Sequence, residues 1–186
     1  MHAHHRRVFI GIGGGSASGK TTLAGRLTRA LTPLRVRVVH LDHFYLRGTG
    51  MPTYRSARER RQLPDWNHPG AFDWNAVARA VRRARRCDVL ILEGILALHP
   101  PTLRRRMTLC LYVDCPAPMR LERRLARGVP GWSDRRHRIF WRECVLPGHR
   151  RFVSPTRRCA DAVLSATRPN LRRIVRLVRA ITAAGP

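Results

Sequence analysis

Apolar positions along the chain alternate between short continuous runs and longer stretches at helical spacing. Residues 8–12 form an apolar run that ends in glycines. Residues 20–31 then place Leu23, Ala24, Leu27, Ala30 and Leu31 on one side of a helix. Pro33 stops that helix, and residues 36–41 read as a second buried strand. Residues 42–69 are irregular, broken by Gly48, Gly50, Pro52, Pro64 and Pro69, with one helical turn expected around 56–62. Asp73 is placed to cap a helix over 74–86. Strands are expected at 89–92 and 108–113. Helices are expected at 116–127 and 135–146, separated by the break at Gly128, Pro130 and Gly131. A short fifth strand is expected at 162–164. After Pro169 a final helix over 171–184 carries Ile174, Leu177, Val178 and Ile181 on one face. Strands separated by helices predict an α/β fold, a parallel sheet flanked by helices on both faces. No internal repeat and no long linker divides the 186 residues, so a single domain over 1–186 is expected.

Charge changes the picture next. The chain holds 37 Lys and Arg against 11 Asp and Glu, a formal +26, and only Lys20 is a lysine. Such a balance attracts polyanions of any kind. The arginines are spread along the whole chain without a basic–aromatic repeat, which reads as a solvated surface, so no specific nucleic-acid partner is expected. Cys87, Cys110, Cys115, Cys144 and Cys159 form no CxxC pair and show no metal-ligand spacing. They read as free, mostly buried thiols of a reducing cytoplasm. His2, His4 and His5 read as part of a flexible end rather than a metal tract. No apolar run reaches the roughly 18–20 residues of a membrane span, so no membrane partner is expected.

The candidate chemistry starts at Gly14-Gly15-Ser16-Ala17-Ser18-Gly19-Lys20-Thr21, which matches G-x-x-x-x-G-K-[ST] in full, between an expected strand and an expected helix. Glycines let consecutive backbone N–H groups turn towards phosphate oxygens, and the helix start adds its positive dipole end. In this P-loop arrangement Lys20 reaches the terminal phosphates, the Thr21 hydroxyl can ligate Mg²⁺, and Thr22 continues the cradle. The implied cofactors are ATP and Mg²⁺. A kinase also needs carboxylates for the acceptor proton and for the metal. Asp42 and Glu93 end the second and third strands, where open α/β sheets put active-site groups. Asp114 also ends a strand and can instead cap the next helix. Glu59, Glu122 and Glu143 lie among arginines, where ion pairing is expected.

The segments GGSASGKTTLA, LDHFYL, NHPGAFDW, LILEGILAL, YVDCPAPMRLERRLARG and FVSPTRRCADAVL, in that order, resemble the uridine kinase / phosphoribulokinase family of P-loop kinases. The resemblance runs from about residue 8 to 164. It implies a P-loop NTPase fold and ATP-dependent phosphorylation of a small-molecule hydroxyl. Asp42 matches the acid that orients or deprotonates the acceptor and approaches the metal, Tyr45 an aromatic beside the nucleoside, and Glu93 the Mg²⁺-associated acid. Arg123, Arg124 and Arg127 fall in the helix leading into a lid near 123–137, where arginines of this family reach the transferred phosphate.

Three departures concern the acceptor side. Asn67, before His68 and Pro69, stands where many uridine kinases carry an Asp that binds ribose hydroxyls, so Asn67 and His68 are the candidate acceptor contacts. The nineteen residues between Asp73 and Glu93 leave no room for the hairpin that contacts the pyrimidine in uridine kinases. The lid sequence is Gly128-Val129-Pro130-Gly131-Trp132-Ser133 rather than the family's usual one. Trp66, Trp74 and Trp132 are candidates for a stacking pocket or for packing. Shorter relatives without the hairpin include nicotinamide riboside kinases. The reading is a kinase for uridine, cytidine or another riboside, acting in the cytoplasm. The alternatives are a kinase for pantothenate or a sugar phosphate, and a nucleic-acid-associated ATPase.

Overall fold

The computed structural model describes residues 7–184, so the expectation for His2, His4 and His5 falls outside the described residues. The elements in chain order are β1 (Val8–Gly14), α1 (Lys20–Ala30), β2 (Val36–His40), β3 (Thr53–Arg55), β4 (Gln62–Pro64), α2 (Trp74–Arg83), β5 (Val89–Glu93), α3 (Pro101–Arg104), β6 (Leu109–Asp114), α4 (Ala117–Arg127), α5 (Asp134–Phe140), α6 (Leu146–Gly148), β7 (Ala162–Ser165) and α7 (Leu171–Ala183). Five strands form one parallel sheet in the order β2-β5-β1-β6-β7. All five therefore end at the same edge. Because β1 is central and the chain winds outwards to both sides of it, that edge is open above β1, where such sheets bind ligands.

The apolar strands serve two cores at once. Val8, Ile10, Ile12, Val89, Ile91, Leu109 and Leu111 pack with Leu23 and Leu27 of α1 and Ile174 and Val178 of α7. Phe9, Leu90, Leu92, Cys110 and Tyr112 pack on the opposite face with Val77 and Val81 of α2, Leu96 and Leu98. Successive strand residues point to opposite faces, so a continuous apolar run is what a sheet covered on both sides requires. Asp73 caps α2 by accepting from Ala76 N (2.8 Å), and Asn170 caps α7 by accepting from Arg173 N (3.3 Å). Leu177, expected on the buried face of α7, is 42% exposed. Ile174, Val178 and Ile181 make the stripe at i, i+4 and i+7, and Leu177 lies at its flank.

Two elements differ from expectation. Residues 53–64 form an antiparallel hairpin, β3 paired with β4, rather than a helical turn. The amides at its tip find side-chain acceptors: Arg58 N donates to Glu143 Oε1 (3.2 Å) and Glu59 N to Ser56 Oγ (3.0 Å). Local acceptors of this kind outcompete helical carbonyls. Glu143 thus serves the hairpin, accepting also from Ser56 Oγ at 2.6 Å, instead of pairing with an arginine of its own helix. The helix expected to end at residue 146 continues instead. Its backbone passes through π turns at Trp141–Val145 and His149–Val153 and ends in a 3₁₀ turn, Ser154–Cys159. Pro147 would clash with a preceding carbonyl in a regular helix, and the wider turns give its ring room.

The five cysteines are free, four of them buried and Cys159 partly so. Among the described residues no helix is long and apolar enough to cross a membrane.

Leu90 is fully buried in the sheet, whereas Leu177 is at the surface. Leu90→Ala should cost about 2–5 kcal/mol in a denaturant titration, and Leu177→Ala less than about 0.5 kcal/mol.

Candidate active site

The carboxyl edge of the sheet is built around the turn from β1 to α1. Gly14 and Gly19 take φ of 138° and 100°. At Gly14 a Cβ would also press on Val113 O, so both sterics and backbone exclude a side chain there. Ser18 N donates back to Gly15 O (3.1 Å), and the same carbonyl accepts from Lys20 Nζ at 2.8 Å. Lys20 is only 7% exposed. Burial lowers its ammonium to about 8; the charges of Glu93 and Asp42 resist that shift, and those of Arg120 and Arg127 assist it.

Glu93 ends β5 beside Ile12 on one side and His40 on the other, in register with both. Its Oε1 accepts from Thr21 Oγ1 (3.0 Å) and lies 2.7 Å from His40 Nδ1. Among the described residues no protein donor reaches its Oε2, although the side chain is buried and lines the cavity. Asp42 follows β2 in the short turn Leu41–Phe44. Its carboxyl is raised above the ordinary aspartate range by loss of hydration among the cavity walls, with Lys20 opposing and Glu93 adding to the shift.

These groups border one cavity of about 610 Å³ whose lining includes Ser16, Ala17, Ser18, Gly19, Lys20, Thr21 and Thr22, together with Asp42, Glu93, Arg123 and Arg127. Arg123 Nη1 also lies 3.4 Å from Ser18 O. Gly14 and Gly15, expected with them, are not among that lining. Tyr45, Asn67 and His68 do not line it. Tyr45 stacks on Phe72 (4.3 Å between rings), and its phenol is pushed above its ordinary range by burial, with the charge of Asp42 adding to the shift. Asn67 is buried against Gly148 and donates through Nδ2 to Cys144 Sγ (3.3 Å). His68 Nδ1 accepts from Gly70 N (3.0 Å), and its ring meets Phe152 edge-on.

All three candidate tryptophans are engaged in packing. Trp66 and Trp132 set their rings against Phe140, and Trp74 Nε1 donates to Pro69 O (2.8 Å). In the lid region Gly128 and Gly131 adopt positive φ, and Ser133 caps α5 by accepting from Arg136 N. Asp114 does not cap α4; it pairs with Arg157 at 3.5 Å.

A family model described as an AAA domain matches residues 10–140. The uridine kinase of Deinococcus deserti is 32% identical over 191 residues, covering 88% of this chain and 90% of that protein. The chain belongs to the uridine kinase family of P-loop kinases. Uridine-cytidine kinase B of Dictyostelium discoideum is 27% identical over 97% of the chain and 84% of its own length. The fold also matches a solved structure described as a possible uridine kinase from Bacillus stearothermophilus. That match has a TM-score of 0.56 at 20% identity, over 84% of this chain and 88% of that one.

Within this P-loop kinase, several cavity residues escaped the sequence reading. Ser165 at the end of β7, then Ala166, Thr167 and Pro169, form one wall, and Arg26 of α1 also lines the cavity. His40 contacts Glu93 only because β2 and β5 are neighbours in register. Two apolar runs that both end in polar residues carried that signal, had the pairing been known.

Lys20 carries a testable pH signature. Its folded value of about 8 lies below its ordinary 10.5, so between these values the unfolded chain binds more protons. The contribution of Lys20 therefore makes folding stability rise with pH from about 8 to 10.5, and below that window its buried charge is a standing cost. Lys20→Met removes both effects. The difference in urea midpoint, variant minus wild type, should be positive at pH 7 and shrink by pH 10.

Proposed function

We propose that this kinase transfers the γ-phosphate of ATP to a hydroxyl of a nucleoside-like acceptor, uridine, cytidine or another riboside. The observation that carries the reading is the convergence of Lys20, Thr21, Asp42, Glu93, Arg123 and Arg127 on one cavity at the carboxyl edge of the sheet. The names of the relatives support the acceptor class.

Backbone amides of residues 14–22 and the start of α1 receive the phosphates, and Lys20 neutralises their charge. The Thr21 hydroxyl and the unengaged Glu93 oxygen are hard oxygen donors at the same edge, and they fit Mg²⁺, which keeps several waters and phosphate oxygens as ligands. Among the described residues no three His, Cys, Asp or Glu side chains are grouped so as to hold a metal ion, so Mg²⁺ here would depend on phosphate and water for most of its ligands. When bound, Mg²⁺ would supply charge neutralisation on the phosphate oxygens.

Asp42, with its proton affinity raised by its surroundings, accepts the hydroxyl proton as the acceptor oxygen bonds to the γ-phosphorus. The bond from that phosphorus to the bridging oxygen breaks, and ADP leaves. Arg123 and Arg127 face the cavity from α4, placed to spread over the transferred phosphoryl group. Tyr45, Asn67 and His68 act from behind the lining, holding the segment after β2 against Phe72 and the π-helical run. Between Asp73 and Glu93 the chain holds only α2, a 3₁₀ turn and β5, so no hairpin closes over the acceptor from that side.

The reading is tested with purified protein, ATP–Mg²⁺ and a panel of uridine, cytidine, nicotinamide riboside, pantothenate and ribose, with product mass as readout. A riboside monophosphate is expected, and none with Lys20→Ala. Asp42→Asn should lower kcat by about 10²–10⁴-fold while ATP still binds. The acid limb of kcat/KM in the wild type should fall above the ordinary aspartate range, because the Asp42 carboxyl is raised. Product from none of the ribosides, or wild-type turnover by Asp42→Asn, would sink the proposal.

A further inference from the structure

Arg120 has the bulkiest of the fully buried side chains, at 2% exposure, and it lies directly beneath the phosphate cradle. It projects from α4, one turn before Arg123. Its guanidinium is packed flat against Gly15, where a Cβ would come within 2.7 Å of Cζ and 2.9 Å of Nε. Nε donates to Cys115 O just after β6 (3.1 Å), and the guanidinium lies over the Trp141 ring at 5.0 Å. Nη1 is buried without a partner. The Ser18 hydroxyl, on the same loop, is likewise buried and unpartnered.

Among the described residues no carboxylate forms an ion pair with this buried cation. Asp114, whose charge reaches it from the end of β6, pairs instead with Arg157 and is about half exposed (54% of its side chain). His149, held near Tyr112 Oη, is pushed down to about 4 by burial and by the charge of Arg120, so it stays neutral. A guanidinium with one hydrogen bond and no ion-pair partner is costly in a protein interior. The carbonyl of the residue it rests on, Gly15, is the one that holds Lys20. Two buried cations therefore meet at one residue of the loop, Lys20 at its carbonyl and Arg120 at its α-carbon. An arginine retained at such a cost needs an anion that arrives later.

We infer that Arg120 is a positioning residue for the triphosphate: a buried cation under the P-loop whose counter-charge is the bound phosphate chain, felt across the Gly15 peptide. The inference rests on the reading that this loop holds ATP. It differs from the role of Arg123 and Arg127, which face the cavity and can touch the transferred group. Arg120 is shielded from the cavity by the loop. It acts on where the loop amides point and on the potential they sit in.

The test compares wild type, Arg120→Met, Arg120→Gln and Arg120→Lys for calorimetric binding of ATP and of inorganic tripolyphosphate, with Tm measured without ligand and steady-state kinetics alongside. Met and Gln should weaken both ligands by roughly 10–100-fold, with KM for ATP rising by more than kcat falls. The unliganded Tm should not drop, because a buried unpaired charge has been removed. Lys should recover most of the affinity. Wild-type affinity for tripolyphosphate in either neutral variant would overturn the inference, whatever happens to Tm. So would a lowered Tm with KM for ATP unchanged, which marks a packing role alone. If Met does not fold, Gln, which keeps a donor for Cys115 O, decides. Wild-type protein that binds neither ligand would overturn the nucleotide reading and this inference together.

Discussion

The hydrogen bond from Lys20 to the Gly15 carbonyl is the contact on which the site depends. It turns a glycine-rich loop into a closed ring and holds an ammonium at the cavity, where the proposed function places a phosphate. An ammonium in that position has lost most of its water, which is why burial lowers it so far. Everything nearby is arranged around this unfavourable charge. Glu93 and Asp42 approach from neighbouring strand ends and partly compensate it, while Arg120 and Arg127 add to the cost. The cavity wall at Lys20 is thus under-compensated in negative charge, and under the proposed function a bound polyanion would relieve it. This is electrostatic preorganisation: the cost of desolvating the cations is met on folding, not during the reaction.

The parallel sheet makes the arrangement possible. Since the five strands run the same way, their carboxyl ends bring Gly14, His40, Glu93, Asp114 and Ser165 to one edge, though they are spread over most of the chain. The register places His40 and Ile12 on either side of Glu93. One carboxylate oxygen is then occupied by Thr21 and His40 while the other is left for use. The helical run from Asp134 to Cys159 supports this edge from outside, supplying Trp141 under Arg120 and Cys144 and Gly148 beside Asn67.

How much of this could be read from the chain follows from the range of the interactions. The cradle and α1 were legible because glycine placement and helical spacing are local properties. Asp42 and Glu93 were legible because a polar residue closing an apolar run marks a strand end. The two-sided cover of the sheet followed from runs without alternation. The hairpin at 53–64 was not legible. Its tip is held by Glu143, far away in sequence, and the local composition suited a turn of either kind. Continuation of the helix through Pro147 was hidden because proline ordinarily ends a regular helix. Among so many arginines, nothing in the composition set Arg120 apart from its neighbours, since its burial is decided by Gly15 and Trp141 on other elements. The placement of Asn67 behind the cavity wall likewise depends on Gly148, where a larger residue would displace it.

The solitary lysine has a consequence for chemical labelling. Reagents that acylate amines find, among side chains, a single target in this protein, and it lies at the floor of the cavity. With its proton held less tightly than usual, that amine is a better nucleophile near neutral pH than an ordinary surface lysine. Arginine does not react in this way at such pH. Stable amide formation by a small acylating probe is therefore confined to a single side-chain address in the chain, and a ligand seated over that address would protect it.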